Sequence, residues 1–206
     1  MWPISESKMR GKWVRRVVVF FLTSWMVIVS FSFSPPPAKE QLRWTHPAQL
    51  TANDFRKPSA GRKVRVKTGR RSWRILEGYI YSGIAFSYEV KGKQVKYEVY
   101  AFMLPDDSWL ADPENQATLE HEQAHFNITE IYARRLRQQL KQVARSEDAR
   151  KKYQQTMKDL AKVQADFDHD QEGETGVTDQ WKKKIQSELN ERAAFSSAPV
   201  IPGRTD

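Results

Sequence analysis

Near residue 110 the spacing of apolar residues changes, and this limits the chain to strands first and helices afterwards. Across residues 64–103 apolar positions alternate. Ile84, Phe86, Tyr88 and Val90 share one face, and Val95, Tyr97, Val99 and Ala101 share another, with Lys91-Gly92-Lys93 between them. This is the pattern of a β-hairpin. Val64 and Val66 alternate with basic residues in the same extended style. Beyond residue 112 the interval becomes three and four, as Leu119, Ile128, Ile131, Tyr132, Leu136, Leu140 and Val143 show, which is the helical period. Asp112-Pro113 predicts an N-cap and first helical residue, with the helix running to about Arg145. Ser146-Glu147-Asp148 predicts the cap of a second helix to about Asp166, with Tyr153, Met157, Leu160 and Val163 as its apolar stripe. An acidic loop is expected next, holding Asp166, Asp168, Asp170, Glu172 and Glu174, and then a third helix capped by Thr178 or Asp179 and carrying Trp181, Ile185 and Leu189. The fold class is α+β: an antiparallel hairpin or sheet, a long helix and an antiparallel partner helix.

The 206 residues suffice for one domain. The absence of cysteine excludes a disulfide framework, a thiolate metal site and a cysteine nucleophile, and no glycine-rich phosphate loop is present. At the N-terminus, Lys8, Arg10, Lys12, Arg15 and Arg16 precede an apolar run over 17–34 and then Pro35-Pro36-Pro37. A basic stretch before such a run reads as a signal peptide or a signal anchor, its length lying between a long signal core and a short transmembrane helix. The body is therefore expected to be exported, to the periplasm or beyond, or held at the inner membrane. The organisation that follows is an export segment at 1–34, a linker at 35–45, the folded domain at 46–192 and a disordered tail at 193–206.

Removing residues 1–34 takes away five of the 34 basic residues and one of the 25 acidic ones, leaving 29 against 24. The body is thus only mildly basic. Its charge is clustered, with Arg56, Lys57, Arg62, Lys63, Arg65, Lys67, Arg70, Arg71 and Arg74 in one stretch without an acid. Such a stretch suits a solvated loop with a charged edge strand, or contact with an anionic membrane or envelope surface. Export and the lack of any nucleic-acid motif argue against a nucleic-acid partner.

One motif carries chemistry. His121-Glu122-Gln123-Ala124-His125 reads HExxH inside the expected long helix. Residues four apart sit about 40° apart around a helix, so the two imidazoles point the same way. That suits two ligands of one tetrahedral zinc ion. Glu122 projects about 60° from His125, beside the same site, where it can take a proton from a zinc-bound water. A third protein ligand is needed. Glu130 lies about 140° and 180° from the two histidines and is excluded on geometry. The extended motif HExxHxxGxxH fails because Ile128 and Ile131 stand at its glycine and last histidine. With a turn near Ser146, an antiparallel second helix returns to the heights of His125 and His121 near Phe167 and Gln171. His169 lies between and is the candidate third ligand, with a carboxylate from Glu172 or Glu174 as the alternative.

The segment running from Leu119-Glu120-His121-Glu122-Gln123-Ala124-His125-Phe126-Asn127-Ile128 to Glu130-Ile131-Tyr132-Ala133-Arg134-Arg135-Leu136 resembles the core of the bacterial family called domain of unknown function 922. Leu42-Arg43-Trp44, residues 50–55, Tyr81-Ser82-Gly83-Ile84 and Ser108-Trp109 are similar in order and spacing. The resemblance spans residues 42–189 and implies a secreted, zinc-dependent protease of zincin-like fold acting on a peptide or protein substrate. The family's later pattern places Thr-x-His-Gly after an aromatic-Asp pair. Here Phe167-Asp168 keeps the pair, His169 follows at once, and Thr175-Gly176 lacks a histidine. Either His169 takes that role or a carboxylate does. The competing reading is a non-catalytic envelope protein on the same scaffold, working through its basic stretch and hairpin; an intact Glu122 favours the enzyme.

Overall fold

The computed structural model describes residues 40–45, 49–56, 64–67, 73–92, 94–196, 200 and 202. The expected export segment, residues 35–39 of the linker and much of the basic stretch lie outside the described residues. Among the described residues no helix is long and apolar enough to cross a membrane.

The architecture is mixed α+β, strands before helices. Strands β1 (Leu42–Arg43), β2 (Val64–Lys67), β3 (Trp73–Leu76), β4 (Gly78–Tyr79), β5 (Ser82–Lys91), β6 (Gln94–Met103) and β7 (Trp109–Leu110) precede helices α1 (Gln116–Leu140), α2 (Ser146–Asp170) and α3 (Asp179–Glu191). They form three small antiparallel sheets, ordered β1-β6-β5, β2-β3 and β4-β7. The hairpin β5-β6 keeps an unbroken register from Ser82↔Met103 to Lys91↔Gln94, and Gly92 enters the turn with φ 61°, a conformation glycine adopts without penalty. Tyr97, Val99, Ala101 and Met103 are buried on one face of β6, as alternation requires. On β5 burial fades from Ile84 to the exposed Val90 toward the turn.

The core joins that face of β6 to Phe126, Ile128, Ile131 and Leu136 of α1, Leu160 and Phe167 of α2 and Trp181 of α3. Helix α1 is buried nearly all round. Its rear face is polar: Glu130 bonds Arg134 Nε at 2.9 Å and Arg137 Nη2 at 2.9 Å, all three side chains being buried. Arg137 Nε also donates to Val99 O at 3.0 Å, and Arg134 Nη1 to Leu189 O at 2.6 Å, so this cluster ties α1 to β6 and α3. Gln123 and Asn127, one turn apart, serve the segment that follows β1. Leu50 N donates to Gln123 Oε1 at 2.7 Å and Trp44 Nε1 to Asn127 Oδ1 at 2.9 Å.

Several boundaries differ from those expected. Asp112 closes a turn, accepting from Glu114 N at 3.0 Å, and the cap of α1 passes to Asn115, whose side chain accepts from Thr118 N at 3.2 Å. Helix α1 stops at Leu140 rather than near Arg145, where Val143 N turns back to Leu140 O. Ser146 is the first residue of α2 rather than its cap, and Glu147 and Asp148 favour that end through the helix dipole. Most consequentially, α2 continues to Asp170, so Asp166, Asp168 and Asp170 are helical rather than in a loop. Within residues 193–206, Ala193–Phe195 form a short 3-10 turn, and Val200 is buried and exchanges backbone hydrogen bonds with Tyr97 at 2.9 and 2.8 Å.

Candidate metal centre

The α1–α2 pairing sets the geometry of the site. The connecting turn occupies residues 141–145, His125 meets Gln164, and His121 meets Asp168. This register falls three residues before the positions 167 and 171 expected from a turn at Ser146. Asp168 Oδ1 lies 3.1 Å from His121 Nε2 and 3.1 Å from His125 Nε2, and the two Nε2 atoms are 3.1 Å apart. Two donors on a tetrahedral zinc ion, at bond lengths of about 2.0–2.1 Å, are about 3.3 Å apart. The three atoms thus form a triangle of the size one metal ion needs. Among the described residues this is the group of histidine and acidic side chains that could hold a metal ion.

The third member is Asp168, which corrects the expectation of His169. On a helix, neighbours diverge by about 100°. Phe167 therefore turns into the core at 0% exposure and Asp168 faces the histidines. The His169 side chain is turned to solvent at 81% exposure, with Glu172 as its partner at 3.9 Å. The alternative donors Glu172 and Glu174 line the same cleft but stand outside the triangle. Gln164, one turn before Asp168, is the residue sequence reasoning missed. Its Nε2 donates to His125 O at 3.0 Å and Thr129 Oγ1 at 3.1 Å. A main-chain carbonyl only accepts, so the amide orientation is fixed and Oε1 faces His125 Nδ1. The proton of a neutral His125 is then on Nδ1, leaving the Nε2 lone pair for a metal. Phe167 supports both rings, with centroids 4.9 Å from His121 and 4.8 Å from His125.

Three lone-pair atoms 3.1 Å apart repel unless a proton or a cation sits among them. Without metal, protons fill that need. Burial disfavours charge on His125, but the hydrogen bond to Asp168 and the charge of Glu122 outweigh it, raising its pKa. Burial raises Asp168 too, yet its hydrogen bonds to both histidines hold it well below the usual carboxylate range. Two imidazoles and a carboxylate, with one ring oriented by an amide, are the donor set that zinc accepts.

Glu122 completes the group. It is 4% exposed, and burial raises its pKa although His125 and His121 pull it down and the Ile80 N–H bonds it. Strand β4 makes room for it: a Cβ on Gly78 would lie 2.8 Å from Glu122 Oε1 and 2.7 Å from Thr118 Cγ2. Buried Ser108 holds β4 and its continuation in place. Tyr81 N donates to Ser108 Oγ at 2.9 Å, and that hydroxyl donates to Leu104 O at 2.7 Å. His121, Glu122, His125 and Asp168 all line one open cleft of about 1050 Å³ between α1, α2 and the β4–β5 region. Its size is that of a substrate site. No family model matches the chain, and neither curated proteins nor solved structures give a match.

Proposed function

We propose that this chain is an exported, zinc-dependent hydrolase of zincin-like fold that cleaves peptide bonds. The observation that carries the reading is the triangle of His121 Nε2, His125 Nε2 and Asp168 Oδ1, with Glu122 buried beside it in an open cleft. Bound by those three donors, zinc would supply Lewis acidity, lowering the pKa of water and polarising a substrate carbonyl. The chain's own residues do the rest. Glu122 accepts the proton of the attacking water on its carboxylate and returns it to the departing amine, and its raised pKa brings it nearer the range a general base and acid needs. Gln164 fixes the His125 tautomer, and Gly78 leaves the space in which the Glu122 carboxylate sits. Export rests on the basic and apolar N-terminal sequence, and the family proposal rests on the resemblance around His121 and His125.

The test is zinc content by elemental analysis together with hydrolysis of an unstructured protein such as casein. The chain should hold one zinc, and Glu122→Gln should retain it while losing about 10²–10⁴ in rate. Zinc without hydrolysis of any peptide would leave a metal-bearing scaffold; a chain that takes up no zinc would overturn the reading.

A further inference from the structure

The cleft has two chemically different ends, with the donor triangle between them. At one end, toward His125, the walls include the apolar Ile80, Met157, Leu160 and Ala161 together with Ser82 and Gln164. At the other, around the first turn of α1, they include Glu77, Glu172 and Glu174. Glu77 reaches Asn115 Nδ2 and Thr118 Oγ1, each at 3.5 Å. The Glu172–Gly176 loop closes over the same turn, with Gly176 packed near Ala117 and Glu120. Among the described residues lining the cleft there is no lysine or arginine, although the chain carries a formal charge of +9.

Among the described residues, no lysine or arginine of the cleft lining offsets the acidic end. A dication at the triangle is offset by Asp168 and Glu122, so the excess charge is that of the three glutamates. The N-terminal dipole of α1 offsets part of Glu77, whereas Glu172 follows the C-terminus of α2, whose dipole adds to the negative potential. Glu172 has His169 beside it and no cationic lysine or arginine among the described residues. From Leu160 to Asp168 the helix rises about 12 Å, which an extended peptide spans in about four residues.

We infer that the cleft takes extended peptides with a lysine or arginine on one side of the reacting carbonyl and an apolar side chain, within about four residues, on the other. The placement about a reacting carbonyl rests on the hydrolase reading, while the binding preference stands on the walls alone. Buried Glu122 and the donor triangle mark the same cleft as a ligand site, and the glutamates set the sign of charge it selects.

The test is fluorescence anisotropy with the full chain and labelled heptapeptides. These differ only in Lys, Gln or Glu at one position and Leu or Ser at another, and are made in both orders. The expected order of affinity is Lys, then Gln, then Glu, with Leu over Ser. Glu172→Gln with Glu174→Gln, both on an exposed loop, should weaken the Lys peptide by about 2- to 30-fold and leave the Gln peptide unchanged. High salt should remove the same difference. Equal affinity for Lys, Gln and Glu peptides, no binding by any of them, or a Lys preference untouched by the two substitutions would overturn the inference while leaving the zinc site standing. A Lys preference in a zinc-loaded chain that cleaves nothing would support the inference and remove the hydrolase reading.

Discussion

Replacing Asp168 and His169 separately by alanine distinguishes two neighbours that sequence alone could not. Asp168 Oδ1 stands 3.1 Å from both imidazole nitrogens, whereas the His169 side chain is 81% exposed and reaches Glu172. Loss of a residue that merely orients a ligand weakens metal binding by about 10- to 100-fold, so loss of the carboxylate itself should cost about 100-fold or more. At free zinc one hundred times the parent's dissociation constant, the parent gains about 2.7 kcal/mol of stability. For a chain of this size that raises Tm by about 5–11 °C. With Asp168→Ala, the same zinc concentration gives about 0.4 kcal/mol and a shift of about 1 °C. His169→Ala should behave as the parent. The assays are chelator competition for affinity and thermal unfolding with and without zinc. If His169→Ala loses the zinc shift and Asp168→Ala keeps it, the helical register described above is wrong.

Three further perturbations probe the surroundings. Gly78→Ala forces a methyl to 2.7 Å from Thr118 Cγ2 and 2.8 Å from Glu122 Oε1, which should cost about 1–3 kcal/mol and suppress hydrolysis while zinc stays bound; unchanged urea stability and rate would refute the packing argument. Glu130→Ala leaves Arg134 and Arg137 buried without their carboxylate, a loss of about 3–5 kcal/mol, and a change below about 1 kcal/mol in urea unfolding would contradict it. Raising the pH should weaken the metal-free protein. Lowered Asp168 contributes stability above the usual carboxylate range, lost toward low pH, whereas raised His125 contributes below about 6.5 and loses it as pH climbs through its folded value. Buried Glu122, raised as well, adds to the decline above the usual carboxylate range for as long as it stays protonated in the folded chain. Zinc competes with those protons, so its own stabilisation should grow with pH. Metal-free Tm should fall between pH 6 and pH 8 while the zinc-induced shift widens; the reverse trend in either would be decisive against it.

The legible part of the site was the part written on one helix. The four-residue step from His121 to His125 and the change of period near residue 110 fix the histidine pair and the strand–helix order without any tertiary information. What depended on a second element was harder. Asp166, Asp168 and Asp170 gave residues 166–174 the composition of a loop, yet Leu160, Val163 and Phe167 continue a helical stripe through them. Following that stripe would have put Gln164 and Asp168 on one face, one turn apart. The register between α1 and α2 depends on where the turn falls, and a three-residue displacement is enough to exchange Asp168 for a neighbour. Gly78 beside Glu122 had no local signal, because a strand of two residues and its pairing with Trp109–Leu110 arise only in the folded chain.

Helix α1 also explains why a helix so polar is buried. Counted at about 100° per residue from His121, the side chains of Gln123, Asn127, Glu130, Arg134 and Arg137 fall at about 160–240°, opposite the metal-facing pair. That rear stripe bonds backbone that lacks a regular partner, at Leu50 N, Leu189 O and Phe195 O, and also meets Val99 O and the Trp44 indole. Buried backbone groups need such partners, so the rear charges are part of how the segments flanking the sheet are held. Apolar residues fill the flanks between the two stripes. The front stripe is different. There His121 and His125 meet Asp168 and Gln164 of α2, Thr129 meets Gln164 at 3.1 Å and Ser82 at 2.8 Å, and the two imidazoles converge with Asp168. A purely structural helix could bury that face more favourably with apolar residues, since unpaired buried polar groups are costly. Retaining two imidazoles, a buried glutamate and an aspartate at one point is physically reasonable where a cation compensates them, and an open cleft beside them gives that cation access to a ligand.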